Sequence, residues 1–344
     1  MRYSFSLVPD STRFGQFEDV IRNAEADGFD IAWTPDQGFM VDPFVALSIA
    51  SRITERMHLG VGVTSPYMRH PIQLARAAAA LSNLSDGRFI LGLGAGEKAR
   101  IRDATGAREG RFVDVMRDTC VALRTLLNGE RLSISNSVYS LTDVGLEMQV
   151  KHHVPLYVAT TAPSVFRLAG AHADGVIVGD VADAEVMAAI VAWVEEGAIS
   201  AGRTLADIDI VAWVSTVVTP DRDLVWERLR RRVATTALAA MSKPTRKLLG
   251  INEADIPELM AARRDDSAPL SKSALSDALV DRVTIVGNTQ TVLARIAALS
   301  SVGVNTMAFR MPVALQDRVS FADNIEQLKR GVMDAQDTKA VDND

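Results

Sequence analysis

With 344 residues, 48% of them hydrophobic, the chain has core material for one large domain or two ordinary ones, and no apolar run reaches membrane-spanning length. A formal charge of −6, from 37 basic and 43 acidic residues, argues against nucleic acid or an anionic membrane as the main partner. One cysteine, Cys120, excludes disulfides within the chain and cysteine-ligated metal sites.

The opening MRYSFSLVPD predicts a strand over Arg2–Val8 and lacks the apolar segment of a signal peptide, so cytoplasmic residence is expected. Phe14, Phe17, Val20, Ile21 and Ala24 share one helical face, and Gly28 ends that helix. A second strand, Phe29–Asp36, closes on Trp33-Thr34-Pro35-Asp36. Asp42-Pro43 then opens a helix as N-cap and first helical residue. From Met57 to Glu97 the chain reads as strand, alanine-rich helix and strand, a unit of a parallel sheet. Its two strands end in Gly62-Val63-Thr64-Ser65-Pro66 and Gly92-Leu93-Gly94-Ala95-Gly96-Glu97. Both shed side-chain bulk where they finish, so their backbone can lie against something flat.

A charged loop reaches Gly110, and the helix after it (Arg111 to Leu127) buries Cys120 as a core thiol. Asn136-Ser137 turns a small hairpin outside the repeat. VPLYVAT (154–160) predicts the fifth strand, with a helix after Pro163. VIVG after Asp174-Gly175 is the sixth, and Asp207–Val218 the seventh. Residues 236–281 break the rhythm and read as an insertion or lid, too short for a core of their own. The repeat resumes at Val283–Gly287 and ends with the eighth strand, Asn305–Met311, a helix over 321–333 and a frayed tail, 336–344. The expected fold is a single (β/α)₈ TIM barrel with insertions over 1–344. A doubly wound open sheet would want a Gly-rich turn after the first strand, where Val8-Pro9-Asp10-Ser11 stands.

Barrel chemistry sits at the C-terminal strand ends. There the chain offers Asp36, Gln37, Thr64, Ser65, Glu97, Thr160, Thr161, Ser164, Gly179, Asp180, Thr219 and Arg310. The five histidines do not gather as a metal hydrolase needs, so no metal is expected. No lysine ends a strand as a Schiff-base aldolase needs. Neutral hydrogen-bonding groups, glycine backbone and two carboxylates suit holding a planar cofactor. Taken alone, Asp36 and Glu97 also read as solvated loop acids, His70 as a helix-leading surface residue, and Trp193, Trp213 and Trp226 as core.

The segments AEADGFDIAWTPD, HLGVGVTSPYMRHP, LSDGRFILGLGAGE, VPLYVATTAPSVFRLAGAHADGVIVG and IVGNTQTVLARIAALSSVGVNTMAFRMP, in that order, resemble the luciferase-like superfamily of flavin and deazaflavin barrels. Within it the chain is most similar to the methylenetetrahydromethanopterin reductase type, F420-dependent oxidoreductases. The resemblance implies coenzyme F420 as cofactor, a small organic substrate and a homodimer. It implies a cis peptide at Gly62–Val63, in a bulge backing the central ring of the cofactor. Asp36, Thr64 and Ser65 match the residues beside the ring system, and Thr160, Thr161, Ala162 and Ser164 the loop that holds the cofactor phosphate. Glu97 matches a catalytic carboxylate near the site of hydride transfer. Two positions depart from the pattern: Gln37 stands where several members have a histidine, and Thr161-Ala162 where relatives have a glycine pair. Arg69, Lys98, Arg100 and Arg102 read either as a solvated rim or as a dock for the phosphate and oligoglutamate tail of F420. Two alternatives stay open: an FMN-dependent two-component monooxygenase, and a barrel that binds flavin without turnover.

Overall fold

The computed structural model describes residues 1–310 apart from 10, 11, 13, 37–39, 97–100, 102–105, 107–109, 237, 239, 240 and 266. The expected helix over 321–333 and the tail lie outside the described residues. In chain order the strands are β1 (Arg2–Ser6), β2 (Ile31–Thr34), β3 (His58–Thr64), β4 (Phe89–Leu93), a hairpin β5 (Leu132–Ser135) and β6 (Ser140–Val144), β7 (Leu156–Ala159), β8 (Gly175–Gly179), β9 (Asp209–Val218), β10 (Thr284–Gly287) and β11 (Thr306–Arg310). Eight of them close a parallel ring, β9-β11-β1-β2-β3-β4-β7-β8, with β8 returning to β9. The barrel expected from the sequence is the barrel observed.

One strand has a different place. β10 forms where the repeat was expected to resume, but it stands outside the ring. Its partner is the end of β9, Ser215–Val218, beyond Trp213, where the pairing with β8 stops. At ten residues β9 is twice as long as β8, so its far half overhangs the ring and needs another neighbour for its backbone groups.

Strands buried on both faces read as near-continuous apolar runs, and the pleat divides them. Ile31, Trp33, Ile90, Tyr157, Ile177, Val211, Trp213 and Ala308 pack together along the barrel axis. Their neighbours, among them Ala32, Phe89, Leu91, Val158, Val178, Ala212 and Phe309, pack outward against the helices. The N-terminal mouth is closed by polar side chains. Tyr157 donates to Asp209 at 2.8 Å, Thr306 donates to the same carboxylate at 2.8 Å, and Arg2 pairs with it. Burial first, and then Asp209, push the Tyr157 phenol above its ordinary pKa, so it remains a donor.

The helices begin as the sequence predicts. Asp42 accepts from the amide of Phe44 and caps the helix Pro43–Ile53. His70 Nδ1 accepts from the Ile72 amide at 3.3 Å and caps Pro71–Leu84, as a helix-leading residue does. Cys120 is buried, its thiol pushed up to about 12 by burial. Residues 236–281 carry more helix than their weak periodicity suggests: Lys243–Leu249, Ile256–Arg264 and, closing the segment, Asp277–Val283. Local caps explain part of this, since Ser242 accepts from Thr245 and Ser276 from Leu279. Among the described residues no helix is long and apolar enough to cross a membrane.

Candidate functional site

A cavity of about 460 Å³ opens at the C-terminal ends of the strands. Gly62 and Val63 at the end of β3, and Gly94 to Gly96 after β4, form one wall. Ala159 at the end of β7 and Thr160 to Ala162 after it, Ile177 and Gly179 on β8 and Trp213 on β9 form the rest, with Phe112 and Ser242 reaching in from outside the ring. None of the described lining residues is charged.

The β3 wall is irregular. Val61 pairs with Leu91 and Thr64 with Leu93, so β3 spends one extra residue against β4, and the Gly62–Val63 peptide is cis. The expected bulge and the expected cis bond are both present. Close packing leaves no room for side chains here: a Cβ on Gly94 would lie 2.5 Å from Val63 Cγ2, and one on Gly62 2.7 Å from the Trp213 ring. A Cβ on Gly179 would meet nothing within 4 Å, so that position faces open cavity.

Of the residues expected from the sequence, Gly62, Val63, Thr160, Thr161 and Ala162 line the cavity. Thr64, Ser65, Asp36 and Ser164 are not among the lining residues. Thr64 donates to Asp36 at 2.7 Å, and Ser65 donates to the Ala95 carbonyl at 3.1 Å, tying the β3 end to the β4 end. Asp36, with a side chain only 3% exposed, also accepts from Arg69 Nε at 2.8 Å, and Arg69 reaches on to Asp42 at 2.8 Å. Arg69 therefore belongs to an ion-pair network behind the bulge, which corrects its reading as a rim charge. Ser164 is exposed, in the first turn of the helix Pro163–His172. Glu97, Gln37, Lys98, Arg100 and Arg102 lie outside the described residues.

That helix aims its start at the cavity. Its N-cap is Ala162, with no side-chain cap; Pro163 has no N–H and the Val165 and Phe166 amides turn back to the Ala162 carbonyl, so the first turn presents the Ser164 amide to an anion. Its place is fixed by a close crossing with the helix Ala184–Ser200, where a Cβ on Gly170 would lie 2.0 Å from the Val194 carbonyl oxygen. The two threonines before it are engaged: Thr160 Oγ1 accepts from the Ala162 amide at 3.0 Å, and Thr161 binds Ser242 and Thr245.

Sequence reasoning missed Phe112, Ile177 and Ser242, and took Trp213 for core. Trp213 is 7% exposed and stacks obliquely on Trp33, yet it lines the cavity as well. Its interior position follows from strand alternation with Val211, a signal that was available. Next to Gly179, Asp180 has φ 56 and pairs with Arg310, which also donates to Ser215 at 3.3 Å. Burial pushes the Asp180 carboxyl above its ordinary pKa, although Arg310 pulls the other way.

An eight-strand parallel barrel with a backbone-walled cavity at its C-terminal end defines the class, and the model of the luciferase-like monooxygenase family matches residues 3–306. The chain belongs to that family. It is 27% identical over 321 residues to a 5,10-methylenetetrahydromethanopterin reductase of Archaeoglobus fulgidus, covering 91% of this chain and 94% of that one. Over 267 residues it is 30% identical to an F420-dependent glucose-6-phosphate dehydrogenase of Beutenbergia cavernae, covering 73% of this chain and 75% of the relative. In fold it is similar to the coenzyme F420 dependent tetrahydromethanopterin reductase of Methanopyrus kandleri, with a TM-score of 0.77 at 24% identity over 91% of this chain and 93% of that one.

Proposed function

We propose that this protein is an F420-dependent oxidoreductase that moves a hydride between the deazaflavin and a small organic substrate. The observation that carries the reading is the bulged, glycine-rich wall of β3 and β4, facing an uncapped helix start across one cavity. A planar ring needs backbone to lie against, and a phosphate needs a helix N-terminus with an open N–H and hydroxyls beside it. This cavity offers both, so its residues fit the cofactor. The similarity to F420-dependent relatives over most of the chain supports the same choice.

In this reading Gly62 and Val63 back the ring, and the loop from Thr160 to Ser164 holds the phosphate with the helix amides behind it. When bound, F420 supplies a carbon that gives or accepts a hydride. Trp213, Ile177 and Phe112 exclude water from the reacting face. Asp36, Thr64 and Ser65 act from behind the wall, holding the bulge in shape. Glu97, which follows Gly96 in the chain, gives and takes the proton that must accompany the hydride. Homodimerisation and cytoplasmic residence are part of the same proposal.

The test is a screen of small alcohols, aldehydes, imines and activated alkenes with oxidised and with reduced F420, following the deazaflavin absorbance. Substrate-dependent loss or return of that absorbance supports the reading. Product formed only with oxygen and a supply of reduced FMN would make the protein a two-component monooxygenase instead.

A further inference from the structure

Among its described residues, the segment over 236–281 lines the cavity at Ser242, and three hydrogen bonds meet there on Thr161. The Ser242 amide donates to Thr161 Oγ1 at 2.9 Å, and Ser242 Oγ donates to the Thr161 carbonyl at 2.5 Å. Thr245 Oγ1 donates to the same carbonyl, also at 2.5 Å. The partners lie 81 and 84 positions apart in sequence. Ser242 lines the cavity beside Thr161, and Thr245 is buried.

The helix Lys243–Leu249 that carries both donors is itself anchored. Ser242 caps its start, and Arg282 holds its far end by donating to the Leu249 carbonyl at 2.9 Å and to Asp183 at 2.9 Å. Asp183 in turn caps the helix Ala184–Ser200, whose close crossing fixes the helix Pro163–His172. Thr161 is thus gripped by a short helix tied back to the scaffold that carries the loop. A carbonyl that accepts two hydroxyls has a fixed peptide plane, so the direction of the Ala162 amide on the same peptide is fixed too, and with it the Thr160 hydroxyl that accepts from that amide at 3.0 Å.

We propose that Ser242 and Thr245 are positioning residues that clasp the loop from Thr160 to Ser164 in its phosphate-binding conformation, making the 236–281 segment part of cofactor recognition. The proposal rests on the reading that this loop receives a cofactor phosphate. The clasp acts by preorganisation: the ordering cost of the loop is met in the free protein, so less is lost on binding. A glycine in such a loop would let backbone approach an anion through flexibility. Here Thr161-Ala162 is stiffer and is held from outside.

The test compares ligands with and without the phosphate. FMN and riboflavin, which differ by the phosphate alone, form the deciding pair; F420 and its 8-hydroxy-5-deazariboflavin core, which lacks the phosphate and the tail beyond it, form the other. Each is titrated by fluorescence against wild type and the Ser242→Ala/Thr245→Val variant. Loss of two hydrogen bonds at about 0.5–1.5 kcal/mol each, all falling on the phosphate loop, predicts roughly 5- to 150-fold weaker binding of the phosphorylated ligand. The phosphate-free partner should change by less than about threefold, since it does not use the loop. Ser242→Thr/Thr245→Ser keeps both hydroxyls and should restore the affinity, while Ser242→Ala alone gives a milder variant if the double one unfolds.

Equal loss for both members of a pair, or no loss for either, overturns the clasp. If wild type prefers FMN to F420, the cofactor assignment falls, and the FMN and riboflavin pair still decides the clasp. If wild type binds none of the four, both proposals fall.

Discussion

Arg69 donates through Nε to the Asp36 carboxylate at 2.8 Å, directly behind the bulge that walls the cavity. Thr64 donates to the same oxygen, so the end of β3 is fastened to the loop after β2. Removing the guanidinium would take the Arg69 charge and its hydrogen bond from a carboxylate that is 3% exposed. Arg69→Met should therefore cost about 3–5 kcal/mol in stability, read from urea unfolding. An unchanged midpoint would mean that the pair is solvated and does not hold the bulge.

Two glycines of the cavity should respond in opposite ways. Gly94→Ala forces a methyl to within 2.5 Å of Val63 and should destabilise the protein by about 1–3 kcal/mol. Gly179→Leu meets no protein atom at Cβ, so it should leave the melting temperature near that of wild type while filling the cavity. Its F420 affinity should fall by about tenfold or more, because the pocket and not the fold carries the loss. Equal stability losses in the two variants would show that Gly179 does not face the cavity.

The Asp180–Arg310 pair predicts a pH dependence. Burial already raises the Asp180 carboxyl in the folded protein, and Arg310 opposes that rise. Without Arg310 the folded pKa climbs further, while the unfolded one stays at its ordinary value. Between those two values the folded state binds more protons than the unfolded state, so stability falls as pH rises through the window. Arg310→Met should match wild type most closely near pH ~4 and show its full deficit by pH ~7, once Asp180 would be charged with only the more distant Arg232 to offset its burial. A deficit of one size at both pH values would assign the loss to packing alone.

Glu97→Gln keeps the size of the side chain and cannot release a proton. Turnover should fall by about 10²–10⁴, the usual worth of a general acid or base, with F420 affinity nearly unchanged. Wild-type turnover and pH dependence in this variant would remove Glu97 from the mechanism.

The barrel was legible because each parallel strand is a short apolar run with a helical pattern after it. The glycine-ended strands marked the cavity, and Asp42-Pro43 announced its own cap. Contacts set by tertiary distance left no such trace. Ser242 and Thr245 read as ordinary polar residues in a segment of weak periodicity, and only folding brings them to Thr161. Asp36 was legible as a site-end acid but not as the partner of Arg69, 33 positions away. Trp213 looked like core because an aromatic in a buried strand is core on most of its surface. β10 read as one more unit because its pattern is that of a ring strand, and the length of β9 decides its place.

The central claim is the choice of cofactor, and the most direct measurement is a paired titration of purified apoprotein with F420 and with FMN. The account predicts saturable F420 binding at least about a hundredfold tighter than FMN, a difference near 2.8 kcal/mol. FMN binding as tight as F420 binding, or tighter, would contradict it.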